Sequence, residues 1–254
     1  MILVSLWRKR WSSTPEWPCE EFMLRGLFIT GTDTGVGKTV VAAALMHRYR
    51  EKLKLRYWKP IQTGIEQDDD TATVRTLGEC SDEEILDSGV RLNRPLSPHL
   101  AAKLAGQRIM VEQVYGILNA HDDPRASWII EGAGGVLVPI NESEQIVDLA
   151  HKLGLPVLVV VSTRLGTINH TLLTIEALRR RALIIVGIVM VGEPDSHNRQ
   201  AIESHGAVSV LGEMPKFPEI NAKNIREWAL AELDTDNTLA DHLRLAHHAR
   251  HGFK

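Results

Sequence analysis

The segment LFITGTDTGVGKT, residues 27–39, decides the fold. It starts with an apolar stretch, passes through Gly35 and Gly37, and ends in Gly-Lys-Thr ahead of a run with helical spacing. Backbone N–H groups can wrap around phosphate oxygens where glycines are free to take positive φ, and the following helix N-terminus adds a partial positive charge. Strand, glycine-rich loop and helix in this order predict a phosphate-binding loop.

The loop is a lengthened variant, because five residues separate Gly31 from Gly37 and the common motif has one residue fewer. We expect Lys38 to reach the β- and γ-phosphates of a nucleoside triphosphate and the Thr39 hydroxyl to hold Mg²⁺. The alternative is a strand-to-helix turn of small residues with a solvated Lys38. It is disfavoured because Gly-Lys-Thr seldom arises by chance at such a junction.

Beyond the loop, short apolar runs alternate with longer segments of helical spacing. This alternation predicts an α/β fold, a doubly wound, mainly parallel sheet with helices on both faces, as in P-loop NTPases. Strands are predicted at residues 27–30, 55–58, 128–131, 156–162, 184–191 and 208–211. Helices are predicted to begin near residues 38, 70, 97, 111, 145, 167, 197 and 221.

Composition narrows the class of protein. The 254 residues are enough for one core, and 44% hydrophobic and 24% charged residues are ordinary for a globular domain. A net charge of -3 gives no basic surplus for nucleic acid or membrane, and the longest apolar run, residues 155–161, is far short of the roughly 20 residues of a membrane helix. Cys19 and Cys80 lack C-x-x-C spacing, which favours a reducing compartment. We therefore expect a cytoplasmic protein that binds neither nucleic acid nor membrane.

Both ends of the chain differ from its middle. Residues 1–22 hold three of the six tryptophans and a basic cluster without periodicity, and their apolar start precedes the charges, the reverse of a secretory signal. We expect an N-terminal extension outside the fold, or a start-site artefact with translation beginning at Met23. Residues 23–234 are predicted to form the P-loop domain, and residues 235–254 a polar, His-rich tail with a loose terminal helix.

Five further segments accompany the loop: KPIQTG at 59–64, DDD at 68–70, SPH at 97–99, EGAGG at 131–135 and LGTINH at 165–170. Together with the loop, and in this order, they resemble the dethiobiotin synthetase family over residues 27–220. The resemblance implies a homodimeric ligase of biotin biosynthesis. Such an enzyme uses ATP and Mg²⁺ to carboxylate 7,8-diaminononanoate with carbon dioxide or bicarbonate and to close the ring, giving dethiobiotin, ADP and phosphate.

Three residues are predicted to hold Mg²⁺, namely Thr39, Asp70 and Glu131. They follow or end predicted strands whose carboxyl ends meet at one edge, and Mg²⁺ prefers such hard oxygen ligands. The resemblance implies the same three. For Asp68 and Asp69 a solvated loop with a helix cap is the preferred interpretation. Glu131 closes an apolar run, where a carboxylate is costly unless it is paired or coordinated.

Lys59 follows a predicted strand and precedes Pro60, which stops the strand and aims the ammonium into the site. The resemblance implies that Lys59 and Lys38 are catalytic and stabilise the anionic carbamate and the transferring phosphoryl group. It also implies that Thr63 hydrogen-bonds the nitrogen end of the diamine. Without the resemblance, Lys59 is equally well a surface lysine and Thr63 a turn hydroxyl.

The segment before the helix near residue 167 has free N–H groups that can receive a carboxylate. By resemblance, Thr167, Ile168 and Asn169 bind the acid tail of the substrate across a homodimer interface, and a capped helix is the alternative. Ser97 and Pro98 are interpreted as a structural helix start.

Nucleotide contacts are predicted for a larger set that joins the loop, the metal ligands and the segments near the base. These residues are Gly35, Val36, Gly37, Lys38, Thr39, Val40, Asp70, Glu131, Gly132, Ala133, Gly134, Gly192, Pro215, Lys216 and Phe217. Many members of the family read the base with an Asn-Asp pair after the strand at 184–191, where this chain has Val191-Gly192 followed by Glu193. The base is therefore contacted by backbone near Gly192 and by residues 215–217, or the enzyme accepts other nucleoside triphosphates.

Two other classes share a related loop. Glutamine-dependent synthetases of the cobalamin pathway append an amidotransferase domain with a nucleophilic cysteine, for which no length remains and neither cysteine is suitably placed. Partitioning-type switch ATPases carry an additional lysine near the start of the loop, where this chain has Thr32, Asp33 and Thr34. A diamine-dependent activity would separate the synthetase from both.

Overall fold

The computed structural model describes residues 23–121 and 123–248. The strands of this part of the chain are β1 (Met23–Gly31), β2 (Leu55–Trp58), β3 (Ile61–Thr63), β4 (Ile85–Leu86), β5 (Val90–Leu92), β6 (Ser127–Gly135), β7 (Val157–Ser162), β8 (Ile185–Val191), β9 (Val210–Met214) and β10 (Ala246–His248). Its α-helices are α1 (Lys38–Tyr49), α2 (Asp70–Leu77), α3 (Pro98–Leu104), α4 (Val111–Ala120), α5 (Ile146–Leu153), α6 (Thr167–Arg180), α7 (Ser196–Gly206), α8 (Ala222–Ala231) and α9 (Thr238–Arg244).

The main sheet has the strand order β4-β2-β6-β1-β7-β8-β9, and each neighbouring pair along it is parallel. Parallel neighbours require crossover connections, and the helices between the strands provide them. The predicted doubly wound α/β sheet is therefore confirmed, and each predicted strand and helix lies within a few residues of an observed one.

Buried apolar residues on the two faces of the sheet form two separate cores. Successive side chains of β1 point to opposite faces, so Leu27 and Ile29 pack in the core that includes α1 and α8, whereas Phe28 packs in the core that includes α5 and α6. Helices on both faces follow from this alternation, as predicted.

A second, small sheet lies beside the carboxyl end of β2. After Pro60 the chain leaves the main sheet, and β3 pairs in parallel with β5 instead. The three-residue strands of this sheet are too short to give a periodic signal, so the sequence did not predict them. The small sheet carries Thr63 at its end.

The C-terminal segment corrects a prediction. A polar tail with a loose terminal helix was expected in residues 235–254. The helix is present as α9, but it buries Leu239 and Leu243, and β10 pairs antiparallel with the first residues of β1. This pairing also explains why β1 begins at Met23 rather than near residue 27. The polar and His-rich composition concealed the apolar residues of α9. Residues 249–254 and the predicted extension at residues 1–22 lie outside the described residues.

Candidate active site

The carboxyl ends of β1, β2 and β6 meet at one edge of the sheet, where the loop after β1, Lys59 and Glu131 come together. Two clefts flank the loop. One, of about 570 Å³, is lined by the predicted residues Gly35, Gly37, Lys38, Thr39, Val40, Lys59, Thr63, Asp70, Glu131, Ala133 and Gly134. The other, of about 540 Å³, is lined by the predicted residues Gly35, Val36, Gly37, Val40, Thr167, Gly192, Pro215, Lys216 and Phe217. We call them the lysine cleft and the base cleft.

The phosphate loop takes the conformation that its glycines allow. Gly35 and Gly37 have φ values of 72° and 101°, which L side chains rarely adopt. Lys38 folds back over the loop and donates to the carbonyl oxygen of Asp33 at 2.8 Å. Burial, and after it the charge of Lys59, lowers the pKa of Lys38 to about 8. The ammonium of Lys38 is thus held in a poorly solvated position, where a bound anion would stabilise its charged form.

The three predicted metal ligands converge. The Thr39 hydroxyl lies 2.9 Å from Asp70 Oδ1 and 3.1 Å from Glu131 Oε1, so its single proton is shared between the two carboxylates. Asp70 opens α2, whose N-cap is Asp69, so the interpretation of Asp69 as a helix cap is confirmed. Two carboxylates and a hydroxyl suit Mg²⁺, which usually takes the rest of its octahedron from phosphates and water.

Lys59 lies between the two carboxylates and is only 3% exposed, so it is not a surface lysine. Its ammonium is 2.6 Å from Asp70 Oδ2 and 2.7 Å from Glu131 Oε1, and it also donates to the carbonyl oxygen of Gly132 at 3.1 Å. Burial lowers the pKa of Lys59, but the charges of Glu131 and Asp70 outweigh it and raise the pKa above its ordinary value. Lys59 is therefore a buried cation at neutral pH.

Two residues of this cluster were missed by sequence reasoning. Tyr57 donates its hydroxyl to Glu131 Oε2 at 2.9 Å, and burial followed by the charge of Glu131 raises the pKa of this tyrosine well above its ordinary value. Arg91 donates to the carbonyl oxygen of Lys59 at 2.8 Å and to the Thr71 hydroxyl at 3.2 Å. Tyr57 carries a usable signal, because a strand period of two puts it on the same face as Lys59.

The remaining part of the lysine cleft contains Thr63 and the start of α3. Thr63 and Gly64 line it together with Ser97 and Pro98. Ser97 is the N-cap of α3 and Pro98 its first residue, as predicted, and the Ser97 hydroxyl contacts His99 Nδ1 at 3.1 Å rather than a helix N–H.

The base cleft lies on the opposite side of the phosphate loop. Gly192 has a φ of 138°, and a Cβ on it would lie 2.2 Å from the Thr163 hydroxyl. The cleft wall around Gly192 therefore has room only for glycine. Pro215, Lys216 and Phe217 follow β9 and line the same cleft, so the residues predicted to contact a base lie together.

The predicted acid-tail residues lie at the N-terminus of α6, after Gly166. Thr167 is buried and lines the base cleft, whereas Asn169 is exposed. Within the described chain, Gly132, Ile168 and Asn169 line neither cleft. The neighbouring Leu165 is fully exposed.

Comparison with known proteins identifies the family. A family model described as an AAA domain matches residues 25–224. The ATP-dependent dethiobiotin synthetase BioD of Paramagnetospirillum magneticum is 45% identical over 202 residues, which cover 80% of this chain and 93% of the relative. This chain belongs to the ATP-dependent dethiobiotin synthetase family. Another member, BioD of Agrobacterium fabrum, is 41% identical over 78% of this chain and 90% of its own length. The resemblance drawn from the sequence segments is confirmed.

Two further proteins resemble this chain but differ from it in length or in sequence. The biotin biosynthesis bifunctional protein BioCD of Bordetella avium is 42% identical over 81% of this chain, but the chain spans only 42% of that protein's length. A ParA family ATPase from Chlorobium tepidum TLS covers 87% of this chain with a TM-score of 0.51 and 12% identity. At that identity the likeness shows the fold alone. It confirms the P-loop architecture and lends no support to a switch ATPase.

Two further features concern the helices and the metal-ligating side chains of the described residues. Among the described helices, none is long and apolar enough to cross a bilayer. The described residues also contain no grouping of three or more His, Cys, Asp or Glu side chains suited to a metal ion. The Thr39–Asp70–Glu131 cluster has two carboxylates, and an Mg²⁺ site completed by nucleotide phosphates usually has one or two.

Proposed function

We propose that this chain is an ATP-dependent ligase that converts 7,8-diaminononanoate and carbon dioxide into dethiobiotin, ADP and phosphate. The observation that carries the proposal is the buried ammonium of Lys59, held between Asp70 and Glu131 at the edge of the phosphate loop. A buried cation at that position suits a reaction whose intermediates are all anionic. Membership of the dethiobiotin synthetase family supports the same reaction.

Mg²⁺ would be held by Thr39, Asp70 and Glu131. When bound, it would neutralise charge on the β- and γ-phosphates and hold them in register with the loop. The residues fit this ion because they supply hard oxygens, with one oxygen of each carboxylate within 3.1 Å of the Thr39 hydroxyl.

The reaction proceeds in three balanced steps. One amine attacks carbon dioxide and loses a proton, which gives a carbamate. A carbamate oxygen then attacks the γ-phosphorus of ATP, which forms a carbamic–phosphoric anhydride and releases ADP. The second amine attacks the carbamate carbon, loses a proton and expels phosphate, which closes the cyclic urea.

The residues of the lysine cleft would act chiefly by charge and position. Lys38 would move from the Asp33 carbonyl to the γ-phosphate, where its cation stabilises the transferring group. Lys59 would hold the carbamate and the anhydride oxygens. Thr63 would hydrogen-bond the nitrogen end of the diamine from the small sheet. The two lysine contacts strengthen as negative charge develops on the carbamate and phosphoryl oxygens, so they lower the barrier rather than merely binding substrate.

The remaining assignments concern the ends of the two substrates. The nucleotide base would lie in the base cleft against Gly192 and residues 215–217. Thr167, Ile168 and Asn169 would receive the substrate's acid tail at the N-terminus of α6, from the neighbouring subunit of a homodimer. Ile168 and Asn169 line neither cleft of their own subunit, and this supports a role for them across a subunit interface. The enzyme would work in the cytoplasm and bind no nucleic acid.

Phosphate release in the presence of Mg²⁺ and ATP tests the proposal, with and without diaminononanoate and bicarbonate. Release should require the diamine, and Lys59→Gln should abolish it. Lys54→Gln is the matched control, because Lys54 lies at the other end of β2 and pairs with Asp123 at the surface. Phosphate release at the same rate with and without the diamine would show an ATPase with a different function and would overturn the proposal.

A further inference from the structure

The carboxylate of Glu131 is fully buried, and its two oxygens accept hydrogen bonds from different residues. We propose that Tyr57 is a positioning residue that fixes the Glu131 carboxylate, so that one of its oxygens faces Thr39 and the metal position. The proposal rests on the metal-binding role proposed above for Glu131. It concerns a residue that the sequence motifs do not contain.

Sheet register gives Tyr57 its place. β2 and β6 run in parallel with Tyr57 opposite Ile129, and Glu131 is two residues further along β6 on the same face. Such diagonal neighbours lie within reach of an aromatic side chain. The hydroxyl of Tyr57 accordingly donates to Glu131 Oε2 at 2.9 Å.

The two carboxylate oxygens are thereby distinguished. Oε1 accepts from Thr39 and Lys59, the groups that face the phosphate loop, whereas Oε2 accepts from Tyr57 on the core side. Without the Tyr57 hydroxyl, Oε2 would lose this donor in a position that water does not reach. The carboxylate would then turn to share the Lys59 ammonium, and Oε1 would lose its fixed direction. Partners of this kind orient metal ligands, and their loss commonly costs about 10- to 100-fold in metal affinity or activity.

The same chain contains a matched control. Tyr49 is also fully buried, and its hydroxyl also donates to a buried carboxylate, that of Asp234. Tyr49 ends α1 while Lys38 begins it, so the two residues are about 16 Å apart along the helix axis. Tyr→Phe at either position removes one hydroxyl from one buried carboxylate. Only the change at Tyr57 touches a residue of the active site.

The experiment measures binding of a non-hydrolysable ATP analogue by calorimetry, in Mg²⁺ and in EDTA, to wild type, Tyr57→Phe and Tyr49→Phe. In Mg²⁺, Tyr57→Phe should weaken binding about 10-fold or more, and in EDTA it should bind like wild type within about twofold. Tyr49→Phe should match wild type in both conditions. Thermal unfolding of each variant reports the loss of stability separately.

A second pair of variants, Glu131→Gln with and without Tyr57→Phe, tests the same proposal if Tyr57→Phe alone fails to fold. In a Glu131→Gln background the buried charge is gone, so adding Tyr57→Phe should change analogue binding in Mg²⁺ by less than about twofold. A full 10-fold loss in that background would mean that Tyr57 does not act through Glu131, and would overturn the proposal. The proposal would also be overturned if Tyr57→Phe bound the analogue in Mg²⁺ as tightly as wild type, or if it lost as much affinity in EDTA as in Mg²⁺. If wild type itself showed no Mg²⁺ dependence, the metal role of Glu131 would fail and this proposal with it.

Discussion

The ammonium of Lys59 lies 2.6 Å from the carboxylate of Asp70, in a cluster where Glu131 is the second acid. Lys59 thus neutralises two neighbouring carboxylates, one of them fully buried. Lys59→Met should remove the cation that contacts both carboxylates, leaving only the more distant Lys38, and destabilise the protein by about 3–5 kcal/mol in EDTA. Because Mg²⁺ would replace the missing charge, its addition should raise the melting temperature of Lys59→Met more than that of wild type. An equal rise in both proteins would contradict this interpretation, and Lys54→Met is the surface control.

Nucleotide choice follows from the base cleft. Apart from Asp33 in the phosphate loop, the described residues that line it include no carboxylate and no carboxamide side chain to pair with a base edge. A site without such partners discriminates weakly. We expect kcat/KM for ATP, GTP, CTP and UTP to agree within about 100-fold. Phe217→Ala should lower kcat/KM for all four nucleotides to a similar extent, because any base can stack on an aromatic ring. A preference for ATP above that range would show that backbone groups read adenine.

The C-terminal helix contributes to stability through Leu243. Because Leu243 is fully buried and Leu245 is 56% exposed, the two leucines make a matched pair within three residues. Leu243→Ala should lower the free energy of unfolding by about 2–5 kcal/mol, measured by urea denaturation. Leu245→Ala should change it by no more than about 0.5 kcal/mol. If both substitutions changed the free energy of unfolding equally and by little, residues 238–248 would be a loose tail and the prediction would be wrong.

His47 makes stability depend on pH. Its Nε2 lies 2.8 Å from the carbonyl oxygen of Leu77, and burial lowers its pKa below the ordinary value of 6.5. The unfolded chain therefore takes up a proton at a higher pH than the folded protein. The contribution of His47 is complete above pH 6.5 and falls as the pH drops below it. Between pH 7.5 and 5.5, wild type should lose more unfolding free energy than His47→Gln, and parallel curves would refute the assignment.

The sequence predicted the parts of the molecule that local chemistry determines. The glycines of the phosphate loop, Pro60 after β2 and the Ser97–Pro98 helix start each have a signal within a few residues, and each was found where it was expected. The convergence of Thr39 with Asp70 and Glu131 followed from the rule that carboxyl ends of parallel strands meet. Their roles as metal ligands remain predictions.

The missed features depend on contacts between distant parts of the chain. Tyr57 matters because β2 and β6 are paired in one register, and a shift of one residue would remove its side chain from Glu131. β10 forms only because its residues meet β1, more than 200 positions earlier in the chain. The pairing of β10 with β1 leaves no periodic pattern in the sequence, and the strand period of two indicates the face of Tyr57 but not its partner on β6.

The central claim is that this chain closes a cyclic urea on a diamine, and the most direct measurement detects that product. Purified protein would be incubated with ATP, Mg²⁺, 7,8-diaminononanoate and ¹³C-bicarbonate. The products would then be separated and their masses measured by mass spectrometry. We predict dethiobiotin carrying one ¹³C atom, formed in equal amount with ADP, and none with Lys59→Gln. ADP formed without labelled dethiobiotin would contradict the account.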